Sequence, residues 1–457
     1  MNSAYRIKLN KRFKDENIRE PLRGFRDIVG QEVRVKNFIA HKISEVFQKW
    51  SYEQIVFPLV ERASSFSEQV IGGSPWPEWD KRGVFHLHIQ DYNESYNIIP
   101  EQVPSLLIPE GTISVSRWLA KVLATNKKVK NFFPIKVFYI TPCFRNELIS
   151  KLSVTKNREF NQVGVEILGT SNLLSDIEIL FLLYEGFIAI NVPGELITVR
   201  IGSVELFNLL CDESQIDERT RLVLKNSLDT IAESRAGKQP ERLQPEIDKV
   251  IEIIKRTDTS NQLMKKWEIV CNTFVTVLDQ QTEKLLGYSK PVNDLNIIAS
   301  VLQARGIKCV IDPSVIRSHE YYTEIVYEID LKFGKEVFVE VAGGGRYNKL
   351  VSKFLAGKEY QIPAVGFAYG LERVSEFFNL LNKSKEKQFS VNYWTDKNGV
   401  DSVLHSNPKT TKQIIKLFSS SEELRREGKR VNVYVGDGNR EQAKEYSKKL
   451  GAKFIPQ

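Results

Sequence analysis

Ile325-Val-Tyr-Glu-Ile-Asp-Leu-Lys-Phe-Gly-Lys-Glu-Val-Phe-Val-Glu-Val-Ala342 is the stretch on which the fold turns. A β pattern runs over 321–342, and Lys332-Phe-Gly-Lys335 reads as the hairpin turn inside it. A glycine-rich turn at 343–345, another strand at 364–369 and a helix from Gly370 follow. Upstream, Val35, Ile39, Ile43, Val46, Phe47 and Trp50 recur at three- and four-residue steps, which predicts an amphipathic helix over 33–50. Ile55 to Phe57 is a short apolar run stopped by Pro58, as an edge strand is. Residues 135–141 alternate and read as a strand, and 195–202 as another. Between them Ser175 and Glu178 form a capping-box pattern ahead of an apolar helix at 176–190.

From about 205 to 300 the chain turns polar and helical, with Ala236-Gly-Lys-Gln-Pro240 as a break and no strand signal until 308–311. This is the pattern of a helical insertion inside a larger domain. Residues 382–395 are polar and mixed, a linker composition. Beyond them a helix near 409–427, a strand at 431–435, a helix at 439–450 and a strand at 453–455 predict a small α/β domain with a parallel pair. The expected division is a basic N-terminal extension (1–20), a core over 21–380 and a C-terminal α/β domain over 381–457.

At 457 residues the chain exceeds one small core, and 42% hydrophobic with 27% charged residues excludes disorder as its dominant state. No apolar run is long enough to span a bilayer, and Met1-Asn-Ser-Ala-Tyr-Arg6 opens no secretory signal. The cysteines (143, 211, 271, 309) form no CxxC pair, so neither a zinc site nor a disulfide framework is expected, and a reducing cytoplasm suits them. Of the net charge of +8, residues 1–20 carry +3 and 381–457 carry +7. Basic ends on a near-neutral body fit a polyanion partner, and equally fit solvated lysine-rich helix faces.

Three catalytic classes lack their residues. No GxSxG, HExxH or GxxxxGK[ST] occurs, and the histidines (41, 86, 88, 319, 405) are scattered. His86 and His88 would share one face of a strand, and a solvated strand accounts for the pair without a metal. What remains is a set of charged residues in β-rich segments: Glu110, Arg145, Gln162, Glu166, Arg317 and Arg373. Alternation puts Gln162, Gly164 and Glu166 on one strand face. Acidic groups with a glutamine suit an α-ammonium and a second donor, and arginines suit phosphate and carboxylate. Taken singly, each would serve as well in an ordinary surface ion pair.

Taken together, the blocks resemble class II aminoacyl-tRNA synthetases, specifically the histidyl-tRNA synthetase family. The resemblance begins at Arg23-Gly-Phe-Arg-Asp27 and weakens after about 380. Pro58-Leu-Val-Glu61 is similar to the end of motif 1, Phe144-Arg-Asn-Glu147 to motif 2, and Gly366-Phe-Ala-Tyr-Gly-Leu-Glu-Arg373 to motif 3. Arg317-Ser-His-Glu-Tyr-Tyr322 and Ala342-Gly-Gly-Gly-Arg-Tyr347 are similar to the histidine-specific blocks.

The resemblance implies an α/β fold of α+β type: an antiparallel sheet flanked by helices, the helical insertion, and a shortened anticodon-binding-like C-terminal domain. It implies ATP and Mg²⁺, histidine and tRNA as partners, and a homodimer built through motif 1. By the same resemblance Glu110, Thr112 and Gln162 hold the α-ammonium. Glu166 and Tyr322 read the imidazole, with Tyr321 and Tyr347 lining the pocket. Arg145 grips the α-phosphate, Arg158 adds an ATP contact, Arg373 grips the γ-phosphate, and Arg317 steadies charge as the carboxylate attacks. Three departures stand out. Ser318, His319 and Glu320 replace the family's Gly, Leu and Asp; the 146–159 loop is longer and lacks its Pro and Gly, with Lys151 and Lys156 among its charges; and 388–430 matches poorly. They keep two other readings open: an adenylating paralogue with a non-tRNA acceptor, and a non-catalytic regulator like the synthetase-like subunit of ATP phosphoribosyltransferase.

Overall fold

A computed structural model describes residues 20–71, 83–87, 103–146, 157–257, 260–317, 321–355 and 361–383. Beyond them it describes 402–405, 431–433, 440–449 and 451–456, with a few isolated positions between. Of the features read in the sequence, the 1–20 extension up to residue 19, His88, Glu147, Lys151, Lys156, Ser318, His319, Glu320 and the 382–395 linker beyond Lys383 lie outside the described residues. So does most of the helix expected near 409–427. The chain divides into two compact units, one of Met1–Arg26 with Phe38–Leu381 and one of Asp27–Asn37 with Asn382–Gln457.

The first half of the chain holds α1 (Gln31–Lys49), β1 (Glu53–Gln54), β2 (Val60–Arg62), α2 (Glu68–Ile71), β3 (His86–Leu87), β4 (Ser105–Leu107) and α3 (Gly111–Thr125). Then come β5 (Ile135–Phe144), β6 (Glu159–Leu168), α4 (Leu173–Ala189) and β7 (Ile197–Ser203). Six helices follow: α5 (Val204–Glu213), α6 (Glu218–Ala236), α7 (Leu243–Lys255), α8 (Asn261–Asn272), α9 (Gln280–Leu286) and α10 (Ser289–Ala304). The chain returns to the sheet with β8 (Cys309–Ile311), β9 (Ile325–Phe333) and β10 (Glu336–Arg346), then α11 (Leu350–Lys353), β11 (Ala364–Gly370) and α12 (Leu371–Lys383).

An eight-stranded sheet in the order β1-β5-β6-β11-β10-β9-β7-β8 organises the larger unit. Its strands from β5 to β7 pair antiparallel, as expected, while the edge strands β1 and β8 join parallel, so the sheet is mixed. The quoted hairpin forms as read, with Gly334 in the left-handed region at its turn. Such a φ favours glycine, which has no Cβ to clash. A smaller sheet, β2-β4-β3, leads into α3. The expected capping box is corrected: Asn172 caps α4 by accepting from the Leu174 amide, Ser175 donates to the Asn172 carbonyl, and Glu178 binds Tyr52 and Lys136. A side chain that finds a long-range partner is lost to the local cap.

Helices α5 to α8 share their own core, while α10 packs on the sheet against β7 and β8. Ile247, Val250 and Ile254 recur on one face of α7 and bury against Leu224, Leu228 and Ile231 of α6 and against Trp267 of α8. Burying such a side chain contributes ~1.5–3 kcal/mol each, which lets α6, α7 and α8 pack on one another. Asp217 caps α6 by accepting from Arg219 and Thr220, and Gly237 ends it at φ +110°. In the smaller unit, strands Ser402–His405, Val431–Val433 and Lys453–Pro456 form a three-stranded parallel sheet with Ser402–His405 in the middle. The sequence had offered only two of these strands; the third is short and has no alternation to reveal it.

Candidate active site

Strand β6 supplies the base of the site. Its register sets Thr141 of β5 opposite Gln162, Tyr139 opposite Gly164 and Val137 opposite Glu166. On the other side β11 sets Gly366 opposite Glu166. A Cβ on Gly366 would overlap the Glu166 carboxylate, and a Cβ on Gly164 would overlap the Tyr139 ring. The glycines are therefore the room in which a glutamate and a tyrosine lie flat on the sheet.

Over this strand face sits the start of α3. Gln162 Oε1 accepts the Gly111 amide at 3.0 Å and faces the Cys143 thiol at 3.4 Å. Thr112 Oγ1 donates to Glu166 Oε1 at 2.8 Å, and Tyr347 OH donates to Glu166 Oε2 at 2.6 Å. Tyr139 OH adds a third, longer bond to Glu166 at 3.4 Å. Glu110, just ahead of α3, accepts from Tyr321 OH at 2.8 Å. The Tyr321 ring packs 4.7 Å from Tyr322 and 6.0 Å from Tyr347, so the three tyrosines form one wall. Glu110, Thr112, Gln162, Glu166, Tyr321, Tyr322 and Tyr347 thus converge on a single buried region.

Burial dominates the electrostatics here. It pushes the Glu166 carboxyl up to about 8, with hydrogen bonds from Tyr347 and Thr112 holding it back only in part. Glu110 is pushed up to about 7, against the pull of the Tyr321 hydroxyl and of the Arg145 and Arg317 charges. Both carboxyls are bonded by neutral hydroxyls, and ionisation there favours the arrival of a cation.

The arginines lie beside them. Arg145 Nε donates to the Pro109 carbonyl at 3.2 Å, next to Glu110, and its guanidinium lies 5.1 Å from the Phe160 ring centroid. Arg317 has φ +49° and reaches Glu328 Oε1 at 3.5 Å. Burial opposes its charge, yet Tyr322, Glu328 and Glu340 around it push its pKa above the ordinary arginine value. Arg373, in the first turn of α12, donates to the Glu340 carbonyl at 2.9 Å. Arg158 is set differently: its stem lies against Gly24 and it donates to the Arg23 carbonyl at 3.3 Å.

Behind Arg317 is a buried charge cluster that sequence reading missed. Arg200 on β7, fully buried, binds Asp330 at 2.6 Å, Glu328 at 2.8 Å and Asp312 at 3.7 Å. Arg235 on α6 binds Asp312 at 2.6 Å and the Thr273 carbonyl at 2.9 Å. A lone arginine inside the apolar run Ile197-Thr-Val-Arg-Ile201 was the available signal.

Among the described residues, Asp229 of α6, Glu328 of β9 and Glu340 of β10 bring carboxylate oxygens within 4.8 Å of one another. Hard oxygen donors suit Mg²⁺. Two of the three carboxylates, however, already face guanidinium groups: Glu328 those of Arg200 and Arg317, and Glu340 that of Arg373. A resident dication would share the site with three fixed positive charges, so the set does not fit one.

Comparison with known proteins gives concordant matches. The family model described as Histidyl-tRNA synthetase matches residues 106–374. The chain is 27% identical over 442 residues to histidine–tRNA ligase of Methanocaldococcus jannaschii, covering 95% of this chain and 90% of that protein. It is 27% identical over 352 residues to histidine–tRNA ligase of Methanococcus vannielii, covering 77% and 74%. Two solved structures share the fold. One, from Bacillus halodurans, is described as an ATP phosphoribosyltransferase regulatory subunit/histidyl-tRNA synthetase; its TM-score is 0.69 at 18% identity, covering 96% of this chain and 99% of that one. The histidyl-tRNA synthetase of Nostoc sp. PCC 7120 has a TM-score of 0.65 at 19% identity, covering 95% and 90%.

Proposed function

The chain belongs to the histidyl-tRNA synthetase family, and from that premise we propose that it activates histidine with ATP and transfers the histidyl group to tRNA. The observation that carries the reading is the pair of buried, hydroxyl-bonded carboxyls, Glu110 and Glu166, with the Arg145 and Arg317 charges acting on Glu110. An amino acid needs this division: anions for its ammonium and ring N–H groups, cations for its carboxylate and for the phosphate it attacks. Glu110, Thr112 and Gln162 take the α-ammonium. Glu166 and Tyr322 take the imidazole, with Tyr321 and Tyr347 closing the pocket.

Adenylation asks for no covalent nucleophile. The histidine carboxylate attacks the α-phosphorus and pyrophosphate leaves, so the protein's task is to hold two anions in line and stabilise the charge that grows between them. Arg317 and Arg145 do so at the α-phosphate, and Arg373 holds the γ-phosphate. Arg158 contributes an ATP contact. Mg²⁺ enters as the counter-ion of ATP and of the departing pyrophosphate.

The test is ATP–pyrophosphate exchange with each of the twenty amino acids, followed by aminoacylation of tRNA. Exchange with histidine and charging of tRNA support the reading in full. Exchange with histidine and no charging overturns the transfer half and leaves an adenylating paralogue. A regulatory reading, suggested by the description of the Bacillus halodurans neighbour, expects no exchange at all. Dimerisation through the 58–61 segment belongs to the same proposal and is read by sedimentation.

A further inference from the structure

Glu340 lies where the register of β10 against β9 shifts, between Phe338 and Ala342. It has φ +52°, a left-handed conformation that strains a non-glycine residue. Three parts of this one residue are engaged. Its amide donates to Asp330 Oδ1 at 3.0 Å, its carbonyl accepts from Arg373 Nη1 at 2.9 Å, and its carboxylate accepts from the Glu328 carboxyl and lies 4.0 Å from the same Arg373 Nη1. Glu328 in turn faces Arg317 at 3.5 Å.

We infer that Glu340 is a positioning residue that holds Arg317 and Arg373 at a fixed separation, its bulged carbonyl placing Arg373 and its carboxylate, with Glu328, placing Arg317. The inference rests on the adenylation reading, in which those two arginines meet the two ends of the triphosphate. Its physical ground is that a strained backbone persists only where surrounding bonds hold it, and here the bonds are to one arginine and to the partner of another. The supports are themselves fixed, since Arg200 binds both Asp330 and Glu328. The Glu340 carboxylate stays ionised: burial opposes it, but the Arg317 charge, the Glu328 hydrogen bond and the Arg373 charge hold it down to about 2. An anion kept beside two guanidinium groups orders them before ATP arrives.

The two roles separate by substitution in the full chain. Glu340→Gly keeps the amide and carbonyl and tolerates the positive φ, so only the carboxylate is lost. The expected result is a kcat for exchange about tenfold lower and a smaller rise in KM for ATP, about two- to threefold, because Arg373 keeps its bond to the carbonyl and loses only the longer pairing with the carboxylate. Glu340→Gln, which keeps the reach and a hydrogen bond to Glu328, should recover part of that kcat. Glu340→Val places a β-branched residue at the strained φ, so the bulge relaxes, Arg373 loses its acceptor, and ATP affinity by calorimetry falls about fivefold. If the valine variant does not fold, Glu340→Ala takes its place. A purely structural role would lower the melting midpoint and leave both kcat and ATP affinity in place. A glycine variant with wild-type kcat, or a folded valine or alanine variant with wild-type ATP affinity, overturns the inference. A wild-type chain that binds ATP without exchange overturns the adenylation reading alone, and the inference is then decided on ATP affinity. A wild-type chain that does neither overturns both.

Discussion

Around Glu110 and Glu166 the hydrogen bonds come from hydroxyls, whereas around Asp312, Glu328 and Asp330 they come from guanidinium groups. Both sets are buried. Burial leaves the first set with raised pKa values, with the Arg145 and Arg317 charges pulling Glu110 back only in part. The second is bonded to Arg200, Arg235 and Arg317, although burial and the neighbouring Glu340 charge still push the Glu328 carboxyl well above its ordinary value. The difference teaches where a ligand is awaited. A carboxyl bonded only by neutral donors gains most from an incoming ammonium, and one already bonded to arginine gains little.

The sharpest way to break this comparison is Arg200→Met. Removing one partner of a buried ion cluster leaves charges stranded, and the loss should be ~3–5 kcal/mol by denaturant titration at pH 7. Part of it should return at pH 5, where the stranded carboxyls can protonate. A loss under ~1 kcal/mol would show that the cluster is not balanced by Arg200.

Glu166→Gln probes the opposite region. Glu166 has its pKa raised from 4.5 to about 8 in the folded chain. Between those values the folded state therefore binds a proton that the unfolded state has released, and stability falls as pH rises through the window. The amide variant is free of this penalty. Relative to wild type it should gain ~2–4 kcal/mol at pH 9 and nothing at pH 5, read from paired unfolding curves. The same change should abolish histidine-dependent exchange, and wild-type histidine affinity should weaken as pH is lowered from 8.5 to 6. A variant that is less stable than wild type at both pH values would contradict the contrast drawn here.

The smallest effect is expected from Gly164→Ala. Its methyl would overlap the Tyr139 ring and push that ring toward Glu166, at a cost of ~1–3 kcal/mol. The KM for histidine should rise several-fold with kcat nearly intact. A fall in kcat without a change in KM would mean that the strain travels to the arginines instead.

Much of the larger unit was legible. Alternation is a property of the strand itself, so Gln162, Gly164 and Glu166 could be placed on one face before any coordinates, and β6 sets them there. The pocket tyrosines came from the blocks they sit in, not from any pattern of their own. Three things were not legible. Tyr139 reads as an ordinary aromatic strand residue, because its importance comes from two glycines distant in sequence. Glu340 alternates with valines like a solvated strand position, because a bulge is invisible to a period-two pattern. The cap of α4 was misplaced because Glu178 has long-range partners that no local motif reveals.

The Arg200 cluster also restricts how this sequence could have changed with time. Loss of the arginine strands carboxylates, and loss of one carboxylate strands part of the guanidinium; either step alone is severe. Substitutions among residues that share one network are strongly non-additive. Arg200, Asp312, Glu328 and Asp330 are thus open to replacement together and nearly closed to replacement singly. Because Glu328 also faces Arg317, that mutual dependence reaches from the sheet interior into the candidate active site.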